Sequence, residues 1–418
     1  MEEKKIKVLH IVAGDLNQGA ARGAYWLHKG LISNGINSMM LNNGKVAGES
    51  YESIININDF SYVSKKINFL RSRLDIYFKK TYRNSRDEIF STGLFGYDFL
   101  GLEAYKEADL VHLHWINGGL MNLSILNQIN KPIIWTIRDM WSFTGGCHYS
   151  LDCTRYLTGC GNCFFLNSNK EKDLSTYLFN RKKKILENKS IEFVGISKWI
   201  SSKAKNSKIL GSENISTIFN NIDTDIFRPY DKKTTRRELK IETNKTIILV
   251  GAINSKNTWK GFRFLKDALN RLDRDKYVVL TFGKINLKDF NEIDLQITNL
   301  GFINDDVLLA KIYSLSDVYV TTAIQEAFGK TVVESMACNT PVVCFDNSGP
   351  SDLVTHKKEG YLAKAFCPID IADGIQWIVN NPNYKLICEN SRKRALEDFD
   401  YRITSKEYIE LYKKKLKK

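Results

Sequence analysis

The order of apolar runs along the chain constrains its fold class more than any single residue does. KVLHIVAG, INSMMLNN, DLVHLHWI, PIIWTIRD and EFVGIS alternate through the first half with helix-length amphipathic segments. STIFNNI, TIILVGAI, YVVLTFGK, LQITNLGFI, VYVTTAI and PVVCFDN repeat the pattern in the second half. Strands separated by helices pair in parallel, because a parallel partner can be reached only through a crossover. Runs apolar on both faces are buried on both faces. At 418 residues the chain exceeds what one core comfortably organises. A stretch rich in Lys, Asn, Ser and Thr, beginning KAKNSKILGSENIS, puts the linkage near residues 205–225. The expectation is two doubly wound α/β domains in tandem, facing across a cleft lined by the loops that follow strands.

Composition excludes some classes. With 43% hydrophobic and 26% charged residues and only six prolines, the chain is an ordinary globule rather than a disordered one. No run approaches the roughly 18 to 20 apolar residues of a membrane span. The opening MEEKKIKVLHIVAGD is broken by His10 and stops at Asp15, so it reads as a first buried strand of a cytoplasmic protein and not as a signal peptide. Lys and Arg exceed Asp and Glu by 14, a bias toward phosphate-bearing partners. The tail YIELYKKKLKK concentrates that charge on an amphipathic helix, 401–418. It reads either as a solvated face with some core contact or as a peripheral attachment to the inner face of an anionic membrane.

Several loops after strands carry candidate chemistry. In GDLNQGAARGAYWLHKGL the small residues Gly19, Ala20 and Ala21 let a helix start approach a phosphate or sugar closely, or simply pack tightly. WINGG and RDMWSFTGG end two strands, and offer His114, Arg138, Asp139 and Trp141 as rim candidates. His112 and His114 share a strand face, which suits core histidines equally well, and Arg138 and Asp139 are adjacent opposite charges that could form a structural ion pair. Lys260 and Gly261 stand at a helix entrance, where an ammonium can reach a diphosphate. In EAFGKTVVE the loop after VYVTTAI leads into a helix whose free N–H groups near Gly329 to Thr331 suit phosphate oxygens. Glu334, one turn in, can accept bonds from vicinal hydroxyls such as those of a ribose, and Glu326 can face a sugar.

The run LGFINDDVLLAKIYSLSDVYVTT through EAFGKTVVESMACNTPVVCFDNSGPSDLVTHKKEGYLA closely resembles the donor-binding half of the retaining GT-B glycosyltransferases of family 4. IFNNIDTDIFRP and VGISKWI are similar to that family's inter-domain and last N-domain segments. NQGAARGAYWLHKGL, VHLHWING and RDMWSFTGGCHYSLDCTRYLTGCGNC resemble a bacterial polysaccharide subgroup of colanic-acid type.

The resemblance implies a GT-B fold. An acceptor-side Rossmann-like domain, 1–215, faces a nucleotide-sugar domain, 216–400, and the C-terminal helix returns to the first. It implies transfer of a sugar, with retention, from a nucleoside-diphosphate sugar to a glycan or lipid-linked acceptor of surface polysaccharide. The alternatives are a transferase making a soluble glycoside or, remotely, a non-catalytic binder of anionic polymers. By the likeness Glu326 contacts the donor sugar, Glu334 the ribose and Lys260 the diphosphate. Phe328, Gly329, Lys330 and Thr331 surround the sugar-phosphate, Gly19 and Ala20 face it from the other domain, and Arg138 and Asp139 join the catalytic set. His114 and Trp141 stand on the acceptor side. Two positions depart from the family pattern. Ala252 stands where many relatives carry Arg, with Lys256 as a substitute cation, and Arg138 stands where His is common. With no D-x-D pair beside these motifs, catalysis requires no metal cofactor, and no nucleic-acid partner is expected.

Four of the eight cysteines, Cys147, Cys153, Cys160 and Cys163, fall in an insert at 145–165 with spacing C-x5-C-x6-C-x2-C. They make a candidate structural zinc site, with free thiols or disulfides as the alternatives. A reducing compartment disfavours the disulfides.

Overall fold

The computed structural model describes residues 5–46, 52–241, 243–254, 258–290 and 292–417. The chain forms two compact units, one of residues 1–219 with 401–418 and the other of residues 220–400.

The first unit is built on a seven-stranded sheet. Its strands are β1 (Lys7–Val12), β2 (Asn37–Asn42), β3 (Ile54–Asn56), β4 (Leu110–Leu113), β5 (Ile133–Ile137), β6 (Ile191–Gly195) and β7 (Ile215–Thr217), in the order β3-β2-β1-β4-β5-β6-β7. Every pair is parallel. Of STIFNNI, read with the second half, Ser216 and Thr217 instead belong to the edge strand β7 of this sheet, which pairs Ile215 with Phe193. It lies within the polar stretch that marks the change of domain, so composition alone could assign it to either side.

The C-terminal helix Tyr401–Leu416 belongs to this first unit. Tyr408 and Tyr412 enter a core cluster with Val8, Leu31, Leu110 and Ile134. Their hydroxyls are satisfied there by a polar plug: Tyr412 Oη lies 2.7 Å from His112 Nδ1, His112 Nε2 lies 2.7 Å from Thr136 Oγ1, and Tyr408 Oη lies 2.8 Å from Thr136 Oγ1. Buried hydroxyls and imidazoles without partners cost roughly 1–3 kcal/mol each, so this helix docks in one register. Lys406, Lys413 and Lys414 of this helix are exposed.

The second unit holds a six-stranded sheet. Its strands are β8 (Thr246–Asn254), β9 (Tyr277–Lys284), β10 (Gln296–Asn299), β11 (Val318–Thr321), β12 (Val342–Phe345) and β13 (Gly360–Ala363), in the order β10-β9-β8-β11-β12-β13, again all parallel. Helices Phe262–Leu269 and Pro368–Val379 bury Leu265, Leu269, Ile371 and Ile375 on it, with Val279 and Val320 beneath. Each sheet reverses its direction of strand addition once, between β1 and β4 in the first unit and between β8 and β11 in the second. Loops diverge at such a point and leave a crevice at the carboxyl ends. These are two Rossmann-like α/β domains, the architecture of the GT-B fold.

Candidate functional site

In the second unit the loops after β8 and β11 flank the switch point, and hydrogen bonds to backbone carbonyls zip them together. Ile324 N donates to Trp259 O at 2.7 Å, and Thr322 Oγ1 donates to Gly261 O at 3.0 Å. Gly261 caps the Phe262–Leu269 helix in the left-handed region, φ 64°, and a Cβ there would sit 2.0 Å from Thr322 O. Only glycine allows both the torsion and the approach. The outcome is a charged contact between residues far apart in the chain. Lys260 Nζ donates to Glu326 Oε2 at 2.5 Å, and both side chains keep about a fifth of their surface exposed.

Three residues further on, Gly329 at φ 98° caps the helix Lys330–Ala337, and no side chain caps it. Val332 and Val333 return their N–H groups to Gly329 O. A helix start of this kind presents the positive end of its dipole to whatever lies before it. Lys330 adds an ammonium at that end. Its Nζ is 3.6 Å from Glu334 Oε1, and Tyr313 Oη donates to Glu334 Oε2 at 3.0 Å. Glu334 is only 2% exposed. Burial, with the Glu334 carboxylate next, pushes the Tyr313 hydroxyl well above its ordinary range, so it remains a donor at every physiological pH. Phe328 is buried, with its ring 5.9 Å from that of Phe399, and Thr331 is half-buried. The second unit therefore pairs Lys260 with Glu326 and Lys330 with Glu334, on the loops after β8 and β11 and on the helix that Gly329 caps. Tyr313 is a member that the sequence did not disclose. Lys256 lies outside the described residues.

In the first unit Gly19 opens the Gly19–Ser33 helix after β1, exposed and at φ 49°, with Ala20 half-buried behind it. Arg138 and Asp139 end β5 but do not share their charges in the simplest way. Asp139 accepts from Trp141 N at 2.9 Å and Trp115 Nε1 at 2.9 Å, and lies 2.6 Å from His148 Nδ1. His148 Nε2 lies 3.0 Å from Ser91 Oγ. Ser91, His148 and Asp139 thus stand in a Ser–His–Asp order, with Ser91 and His148 both buried. Trp141 is buried too, its indole N–H bonded to Ser91 O and its ring beneath the Lys182 ammonium.

Arg138 is 7% exposed, and burial pulls its guanidinium down to about 10, still charged at neutral pH. Its Nη2 lies 3.3 Å from His114 Nδ1. A guanidinium cannot accept, so Nδ1 is the acceptor and the His114 proton sits on Nε2. That proton points to His10 Nδ1 at 2.9 Å, which leaves His10 Nε2 as a buried N–H. Burial holds His10, His112 and His114 well below the ordinary imidazole range, and all three are neutral.

Among the described residues these three histidines are the one group of at least three His, Cys, Asp or Glu side chains whose ligand atoms lie within 4.8 Å of one another. They could hold a metal ion, on condition that they release their present hydrogen bonds beside a guanidinium. The four insert cysteines, all free, do not draw together to that degree. They are near neighbours all the same. Burial, with Cys160 and Cys163 adding to it, raises the Cys147 thiol well above its ordinary value, and burial pushes Cys160 up to about 12.

Comparison with known proteins agrees with this architecture. Residues 231–395 match the family model "Glycosyl transferases group 1". An uncharacterised glycosyltransferase of Methanocaldococcus jannaschii is 24% identical over 345 residues, covering 75% of this chain and 85% of the relative. The solved sucrose-phosphate synthase from Thermosynechococcus elongatus superposes with a TM-score of 0.69 at 18% identity, over 98% of this chain and 99% of that one. Anabaena HepE in complex with UDP and glucose superposes with a TM-score of 0.60 at 14% identity, over 98% and 99%. The chain is a glycosyltransferase enzyme of the GT-B fold, related through its second unit to the glycosyl transferases of group 1.

Proposed function

We propose that the protein transfers a sugar, with retention of anomeric configuration, from a nucleoside-diphosphate sugar to a glycan or lipid-linked saccharide acceptor during assembly of a bacterial surface polysaccharide. The observation that carries this reading is the Lys260–Glu326 contact at the switch point beside the Gly329 helix start. Breaking the anomeric bond develops negative charge on the leaving diphosphate and positive charge on the sugar ring. Lys260, Lys330 and the dipole of the Lys330–Ala337 helix stabilise the first, and Glu326 stands beside the second. Glu334 receives the ribose hydroxyls through lone pairs that Tyr313 and Lys330 leave available. Gly19 and Ala20 serve the donor from the first unit. Arg138, Asp139, His114 and Trp141 act mainly as the buried frame of its strand ends. Cys147, Cys153, Cys160 and Cys163 remain the candidate structural zinc site, which metal analysis of the purified protein tests directly.

The test is a panel of nucleotide sugars scored for released nucleoside diphosphate. Uridine diphosphate glucose comes first, because a structural likeness is solved with UDP and glucose. We expect one donor to turn over, without sensitivity to EDTA, faster with lipid-linked than with soluble acceptors, and with the anomeric coupling of the donor retained in the product. Inversion, or no turnover of any donor, overturns the reading.

A further inference from the structure

The helix Tyr62–Lys80 is inside out. Its inward stripe is polar: Asn68, Arg71 and Asp75 recur at helical spacing, and Asn68 and Asp75 are its buried residues. Asp75 Oδ1 accepts from Thr92 N, Thr92 Oγ1 and Gly93 N at 2.7–3.1 Å, and Asn68 Nδ2 donates to Ile57 O at 3.0 Å. Those bonds fix which side faces the unit. The helix cannot roll to bury its apolar side without stranding a carboxylate.

The outward stripe is apolar. Tyr62, Val63, Phe69, Leu70 and Tyr77 are each more than half exposed, and no other helix among the described residues leaves as many large apolar side chains in solvent. Isolated exposed apolar residues need no explanation, but a contiguous stripe four turns long does. Lys65, Lys66, Arg73 and Lys80 are interleaved with it and exposed, while the one acidic side chain of the helix, Asp75, is buried.

We propose that this helix is a docking surface for the anionic headgroups and upper acyl region of a lipid bilayer. Aromatic and aliphatic side chains flanked by basic ones, with no acid among them, match that surface in both polarity and charge. The same uniform positive charge opposes pairing with a second copy of the stripe, since an isologous contact would bring like charges together. The C-terminal helix is not equivalent, because its tyrosines are consumed in the core of the first unit. The inference is independent of the donor chemistry, and its test uses no nucleotide sugar.

The full-length protein is sedimented with vesicles of phosphatidylcholine alone or mixed with phosphatidylglycerol, at low and high salt. Binding is expected to the mixed vesicles only, and to weaken with salt. Phe69→Ser combined with Leu70→Ser should reduce partitioning by roughly tenfold or more, as should Lys66→Gln combined with Arg73→Gln, both with unchanged thermal midpoints. Failure of the wild type to bind mixed vesicles overturns the proposal, and so does equal binding by both variants. A wild-type dimer that the Phe69/Leu70 variant dissociates without change in vesicle binding assigns the stripe to a second copy instead. Retention on immobilised polyglutamate without vesicle binding assigns it to an acidic protein.

Discussion

Lys260 and Glu326, 66 positions apart, meet at 2.5 Å because the loops after two central strands are sewn together at Trp259–Ile324 and Gly261–Thr322. The pair is partly exposed, so its contribution to folding is about 0–1 kcal/mol. Its contribution to the proposed reaction is larger, since a preorganised cation at a leaving group is worth on the order of 10²–10³ in rate. Lys260→Met should therefore lower nucleoside-diphosphate release by about two orders of magnitude and leave the thermal midpoint near that of the wild type. A variant with near-normal turnover removes Lys260 from the chemistry.

The Glu334–Tyr313 contact separates nucleotide recognition from sugar recognition. If Glu334 holds the ribose, Glu334→Ala weakens binding of the free nucleoside diphosphate by roughly tenfold, the loss of one or two charged hydrogen bonds. Glu326→Gln leaves that affinity intact and slows sugar transfer. Calorimetric titration with the diphosphate alone distinguishes them, and equal affinity for wild type and Glu334→Ala sinks the ribose role. Tyr313→Phe should lower stability by about 1–3 kcal/mol, because it leaves a buried carboxylate oxygen without its donor.

Parallel α/β architecture was legible in the alternation of strand-like and helix-like runs, because a strand buried on both faces leaves a strong local signature. β3 and β13, three and four residues long, were not, being too short and too mixed to stand out. The helix start at Gly329 was readable from its position after an apolar run. What pairs with what was not. Tyr412 finds His112 300 positions away, and Asp139 turns from the adjacent Arg138 toward Trp115 and His148. Such choices follow from which hydrogen-bonding groups the packed core leaves in reach, information that no local window contains.

Gly261 tests whether the loop stitching positions the lysine. Gly261→Ala imposes a Cβ on backbone at 2.0 Å and a left-handed torsion on alanine. The Thr322 loop must shift, and Lys260 shifts with it. The expected outcome is a loss of stability on the order of 1–3 kcal/mol, with a fall in turnover larger than that loss explains at a temperature where the variant remains folded. Full activity per folded molecule contradicts the positioning argument.

Lys182 supplies a pH dependence whose sign can be worked out. The side chain is buried, donates to Trp141 O and to Thr144 O, and lies over the Trp141 ring. Burial nevertheless lowers its ammonium from an ordinary 10.5 to about 7. Below pH 7 folded and unfolded chains both hold the proton, and stability does not change with pH on this account. Above it the unfolded chain keeps a proton that the folded chain has lost, so stability rises with pH, by up to about 1.4 kcal/mol per unit. The neighbouring thiols act in the opposite sense. Cys147 and Cys160 are raised from an ordinary 9.0, and unfolding releases their protons as pH climbs past that value. The Lys182 effect is therefore isolated between pH 7 and about 8, where free thiols remain mostly protonated in either state. In that window the thermal midpoint of the wild type should rise relative to that of Lys182→Met, which has no group to titrate there. A difference that stays flat or falls would mean that the two carbonyls and the indole face keep the ammonium charged in spite of its burial.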